Sequence, residues 1–116
     1  VLALTRNEGQ HHVHGGGERS LDKLVWDVEP SPSAVTFEVR SPDGADGYPG
    51  NLDVRVTYLV TGDRELIIRY RATTDRPTPV NLTNHAYWNL GGAVEEHELA
   101  LHASQFAPTD EELIPT

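Results

Sequence analysis

The sequence predicts an all-β, antiparallel domain of the sandwich or barrel type. No segment carries apolar residues at a 3.6-residue period over ten or more positions. Several short stretches alternate apolar and polar residues instead. Clusters of Gly and Pro separate those stretches.

Taken in order, residues 1–5 form a short apolar run, read as the tail of a strand. Residues 6–20 read as a loop. It holds Gly9, Gly15, Gly16 and Gly17 together with His11, His12 and His14. Its glycines serve either a flexible turn or a close backbone approach to a ligand. Residues 24–28 predict a strand that Pro30 and Pro32 break. Residues 35–41 alternate cleanly, with Val35, Phe37 and Val39 on one face. Residues 41–50 contain two Asp-Gly pairs and two prolines, which makes an irregular connection.

Two strong strands follow. Leu52, Val54, Val56, Tyr58 and Val60 alternate with Asp53, Arg55 and Thr57. Leu66, Ile68, Tyr70 and Ala72 alternate with Arg69, Arg71 and Thr73. Residues 61–64, with Gly-Asp at their centre, join the two as a hairpin. One face of this sheet is apolar and the other charged, so one side is expected to be buried. Residues 80–83 predict a short strand, residues 98–103 another, and residues 110–113 a single helical turn. No internal repeat, linker or low-complexity tract interrupts the chain. Residues 1–116 therefore read as one piece of a single β domain.

Composition narrows the function. The net charge of −9 argues against nucleic acid or an anionic membrane surface as partner, since both require clustered Lys and Arg. It suits a neutral small ligand. No apolar run approaches the roughly 18 residues of a membrane span. There is no Cys, hence no disulfide framework or thiolate chemistry, and a cytoplasmic location is expected. The chain opens without Met on an apolar run and closes without a terminal signal, so both ends are expected to be internal to a longer sequence.

The chemistry concentrates in residues 81–92, Asn-Leu-Thr-Asn-His-Ala-Tyr-Trp-Asn-Leu-Gly-Gly. Amides and imidazoles hydrogen-bond hydroxyl groups, and flat aromatic faces cover the C–H surface of a pyranose. The imidazole of His85 suits proton transfer, since such a ring can both donate and accept a proton. Asn84 and Asn89 are candidates to orient it, and Tyr87 and Trp88 to wall a pocket. The competing reading is a core histidine with Tyr87 and Trp88 as ordinary core. His14 is the second candidate, against the plain reading of a solvated loop histidine. His97 and His102 read as solvated.

Two sets of residues suggest a metal. Asp43, Asp46 and Asp53 suggest a calcium loop but lack its ligand spacing. His12-x-His14 with Glu18 and His85 resembles the metal motif of cupins, without the glycines and proline that flank it there.

A broader resemblance covers essentially the whole chain. "NLTNHAYWNLGG" is similar to the galactose mutarotase (aldose 1-epimerase) stretch that usually reads close to "VNLTNHSYFNLAG". "VHGG" at residues 13–16 resembles that family's "LHGG", and Asp22, Lys23 and Trp26 fall at matching places. The stretch from "SPDGADGYPGNL" through "NLTNHAYWNL", and the closing "FAPTDEELIPT", continue it. Val13, His11 and Trp88 depart from the commoner Leu, Asn and Phe. None of these changes removes a group the reaction needs.

The resemblance implies a galactose mutarotase-like β-supersandwich, here as a partial domain. It implies interconversion of the α and β anomers of galactose- and glucose-type aldoses by acid/base ring opening and closure, with no metal or other cofactor. It makes His85 the acid, places His14 at the ring and its hydroxyls, and puts Tyr87 in the sugar-binding stretch. The family's base, a glutamate nearer the C-terminus, has no match here. Neither do its hydroxyl-binding aspartate and its Asn-Arg pair. A non-catalytic carbohydrate-binding sandwich is the alternative, followed by the cupin-like barrel.

Overall fold

In a computed structural model, which describes residues 1–116, the chain forms one four-stranded antiparallel sheet and no α-helix. Strand β1 spans Asp27–Pro30, β2 Ala34–Ser41, β3 Leu52–Val60 and β4 Leu66–Thr74, in the order β1-β2-β3-β4. Short 3-10 turns lie at Ala45–Gly47 and Val94–Glu96. No helix is long and apolar enough to cross a membrane. The chain packs as two compact units, Val1–Thr83 and Asn84–Thr116.

The register follows the alternation read from the sequence. Phe37, Val56 and Tyr70 lie abreast on one face, as do Val39, Val54 and Ala72. Glu38, Arg55 and Arg71 lie abreast on the other, with Arg40 opposite Asp53. Glu38 pairs with Arg55, and Arg40 Nη1 stands 3.2 Å from Asp53 Oδ1. Exposed pairs of this kind contribute under about 1 kcal/mol each. The β3–β4 hairpin closes with Thr61 N donating to Glu65 O at 2.9 Å and Arg64 in the left-handed region at φ 65°. This is the bulged closure expected of a three-residue loop.

The apolar face is covered only in part. Val54 and Val56 are buried, but Tyr70 and Leu66 remain substantially exposed. An open groove of about 600 Å³ runs over this face, lined by Trp26, Phe37, Val56, Tyr58, Tyr70 and Leu82 among others. A single sheet layer with an open apolar side is what part of a sandwich presents.

Four predicted strands differ from the structure. Residues 1–5 form no strand. Thr5 N donates to Asp46 O at 3.0 Å, without extending into a ladder. The chain passes so close to Gly47 that a Cβ there would lie 2.2 Å from Ala3 O. The strand expected at 24–28 starts at Asp27 and runs on through Pro30, which its edge position tolerates. Trp26 Nε1 instead donates to Leu21 O at 2.8 Å. Residues 80–83 and 98–103 have apolar alternation but no ladder partner, and both are irregular. The expected helical turn at 110–113 is a single hydrogen-bonded turn. Asp110 Oδ1 accepts from the N–H groups of Glu112 and Ile114, and Leu113 at φ 64° ends the turn.

A polar staple fixes the connection between β2 and β3. Asp43 Oδ1 accepts from Gly50 N at 2.6 Å, and both Asp43 oxygens face Arg76 Nη1 at 3.1 Å. Asp75 accepts from Asn51 N at 2.8 Å and from Asn51 Nδ2 at 2.6 Å. These donors hold the Asp75 carboxyl below its ordinary value of 3.8. A depressed folded-state value contributes stability that is complete above the unfolded value and is lost as pH falls through the folded one. Thermal unfolding followed from pH 6 to about pH 2 should therefore show a falling midpoint below about pH 4. Asp75→Asn should remove that part of the dependence.

Candidate functional site

The histidines fall into two groups, one in each unit. In the first unit, residues 13–16 form a tight turn closed by Gly16 N donating to Val13 O at 3.2 Å. Its central residues, His14 and Gly15, both have positive φ, 55° and 84°. This is the mirror-image turn geometry, with His14 at its exposed apex. For a histidine the left-handed region is uncommon but accessible. The backbone, not a rotamer alone, therefore sets where the imidazole projects.

The neighbouring histidine does different work. His12 Nδ1–H donates to Thr5 O at 2.5 Å, and its Nε2 accepts from Tyr48 Oη at 2.8 Å. Burial and the negative charge of Asp46 push the Tyr48 phenol up, so it stays a donor. Both ring nitrogens of His12 are thus engaged by the protein. No three His, Asp or Glu side chains gather as a metal site. His12 is thereby committed away from the cupin-like set it would form with His14, Glu18 and His85. The calcium reading fails in the same way. Asp43 serves Gly50 and Arg76, Asp53 serves Arg40, and Asp46 accepts from Gly17 N at 3.0 Å.

Beyond the turn, Ser20 is buried, with its Oγ within 2.8 Å of Gly17 O and 2.5 Å of Asp22 Oδ1. Lys23 Nζ lies 2.7 Å from Asp22 Oδ2. Lys23 first and Ser20 second hold the Asp22 carboxyl below its usual value. The glycines of this loop divide by role. Gly15 is open on its Cβ side, whereas a Cβ at Gly16 would lie 2.3 Å from Asp46 Cγ. The close approach at Gly16 is made to Asp46 of the same chain, whereas the expectation is an approach to a ligand.

In the second unit, His85 and Tyr87 come together. Their ring centroids are 5.4 Å apart with the planes tilted by 37°. Both are exposed, Tyr87 by 93 % and Trp88 by 66 %. Within residues 1–116 none of His85, Tyr87 and Trp88 lies in a core. Asn84 Oδ1 accepts from Ala86 N at 2.9 Å, and Asn89 Oδ1 from Gly91 N at 2.7 Å. These bonds shape the backbone on either side of the His85–Trp88 stretch.

His97, read from the sequence as solvated, is structural. Its Nδ1–H donates to Ala93 O at 3.0 Å and its Nε2 accepts from Leu90 N at 3.1 Å. It closes the loop that follows the two glycines. His102 is exposed, as expected. Sequence reasoning missed Asn7 and the loop role of Asp46. Both act on backbone groups far along the chain, and only the Asp46-Gly47 turn signal hinted at either.

With this geometry in place, comparison with known proteins adds a history. A family model described as aldose 1-epimerase matches residues 2–116. Galactose mutarotase of Sus scrofa is 45% identical over 117 residues, covering 97% of this chain and 34% of that protein. Aldose 1-epimerase of Haemophilus influenzae is 43% identical, covering 99% of this chain and 35% of its own length. The crystal structure of a GalM/aldose epimerase homologue from C. elegans superposes with a TM-score of 0.88 at 42% identity. It covers 95% of this chain and 34% of that one. The chain thus spans about a third of the length of the relatives it matches.

Proposed function

The chain belongs to the aldose 1-epimerase family, and from that premise we propose that it supplies the central part of a mutarotase acting on galactose- and glucose-type aldoses. The observation that carries this reading is His85. It sits exposed beside the ring of Tyr87, inside the stretch that most resembles the family's sugar site. The absence of Cys supports a cytoplasmic setting.

The reaction needs two proton transfers held in register. A base withdraws the proton of the C1 hydroxyl while an acid protonates the ring oxygen, and the C1–O5 bond breaks. Rotation about C1–C2 turns the aldehyde, and reversal of both transfers closes the ring on its other face. His85 is the acid toward the ring oxygen. An imidazole can both give and recover a proton. His14 contributes hydrogen bonds at the ring and its hydroxyls, and Tyr87 offers an aromatic face to the sugar. The base has no match in residues 1–116, so proton withdrawal from C1 falls to a carboxylate outside them.

Polarimetry of freshly dissolved α-D-galactose tests the reading. The 116-residue chain alone is expected to leave the buffer rate unchanged. Grafted in place of the matching third of the Haemophilus influenzae aldose 1-epimerase, it is expected to sustain anomerisation within about tenfold of the parent, a change of about 1.4 kcal/mol in the barrier. A folded graft with only the buffer rate would overturn the proposal.

A further inference from the structure

We propose that Asn7 and Asp46 are positioning residues for His14, holding the turn that carries it from two sides. The role assigned to His14 rests on the mutarotase reading above; the clamp itself rests on geometry. The Asn7 side chain spans the turn from end to end. Its Oδ1 accepts from Val13 N at 2.8 Å, and its Nδ2 donates to Val13 O at 2.9 Å and to Gly16 O at 2.8 Å. Both amide hydrogens are thereby used on the two residues that flank His14 and Gly15.

Asp46 grips the following residue. Its Oδ1 accepts from Gly17 N at 3.0 Å, and its side chain fills the space where a Cβ at Gly16 would stand. Its own backbone is in the left-handed region at φ 49°, and its Oδ2 is buried without a hydrogen-bond partner. Neither feature is favourable in itself. Both follow if the carboxylate is placed to serve Gly17 and to pack on Gly16. The backbone of Asp46 also takes part, accepting from Thr5 N at 3.0 Å.

The consequence is directional. Left-handed φ at His14 is one state among several for an exposed loop residue. With Val13, Gly16 and Gly17 all tied, the alternatives would break at least one of these bonds. The imidazole is then presented in one direction before any sugar arrives. Such preorganisation is what a residue that aids proton transfer at the ring requires.

The test is NMR of the isotope-labelled 116-residue chain with the single variants Asn7→Ala, Asp46→Ala and Asp46→Asn. Amide exchange at Val13 and Gly17 reports the bonds, and the one-bond Cα–Hα coupling of His14, which is smaller at positive φ, reports its left-handed backbone. The shift of the His14 ring signal on adding D-galactose reports the consequence. Asn7→Ala is expected to speed exchange at Val13, and Asp46→Ala at Gly17, at least tenfold. Both should average the His14 coupling, while amides of Val54 and Val56 stay unchanged. Asp46→Asn keeps an oxygen for Gly17 N–H and is expected to restore the wild-type coupling.

An unchanged His14 coupling in both alanine variants would overturn the proposal. So would loss of the sheet signals together with the turn in all three variants, because the two residues would then be general structural supports. A wild-type chain whose His14 signal ignores galactose would count against the sugar-contacting role of His14 alone. The exchange and coupling results would still decide the clamp.

Discussion

Replacing His85 by alanine in the graft is expected to slow anomerisation by about 10²–10⁴-fold, the range for loss of a positioned general acid. Affinity for galactose should change by no more than about threefold, because the lost proton transfer belongs to the transition state. His85 and Tyr87 are exposed neighbours, so the substitution opens no cavity in the sheet and should leave thermal stability intact. Rate falls while fold and binding persist. A non-catalytic sugar-binding module predicts the reverse pattern, with affinity lost and no rate to lose. Equilibrium binding and polarimetry on the same variant therefore separate the two. A variant that keeps the full rate would remove His85 from the acid role.

Much of the fold was legible because a period of two is a local property. The faces of β2, β3 and β4 follow from alternation, and the hairpin from its Gly-Asp loop. What alternation does not encode is a partner. Residues 80–83 and 98–103 alternate as cleanly as a short strand should. Nothing in the four-stranded sheet pairs with them, and their backbone groups find no ladder. Leu99 is 84% exposed and Leu101 72%, so the alternation there buries no face. The start of β1 slipped for another reason. The indole of Trp26 is tied back to Leu21, which holds residues 24–26 out of the sheet.

The site was legible where chemistry is local. The stretch around His85 announces itself by composition, and the ring pair His85–Tyr87 needs only a spacing of two. The role of His12 was not legible, since it depends on a contact distant in sequence. His12 meets Tyr48 across 36 positions, and Asp46 meets Gly17 across 29. His97 shows the same limit at short range. A histidine after Val-Glu-Glu looks solvated until the turn at Val94–Glu96 brings Ala93 O and Leu90 N to its two nitrogens.

Val54→Asp is expected to unfold the sheet outright. Val54 sits at the middle of β3, 2% exposed, between Val39 and Ala72 on the neighbouring strands. A carboxylate there would lose its water without gaining a cation, because Arg40, Arg55 and Arg71 lie on the opposite face. Such burial costs several kcal/mol, about 5 as a working figure. A domain of this length has roughly 5–15 kcal/mol in all. This one is expected toward the low end, since only Ala45, Val54 and Val56 are buried among its apolar residues. Val54→Ala removes about 2 kcal/mol and should leave a folded chain with a lower urea midpoint. Circular dichroism with urea titration distinguishes the two. The contrast matters because the apolar face beside Val54 is open along its groove. If that groove admitted enough water to solvate a carboxylate, Val54→Asp would behave like Val54→Ala. A cooperative transition in Val54→Asp with a midpoint near that of Val54→Ala would show that the centre of this sheet is wet rather than packed.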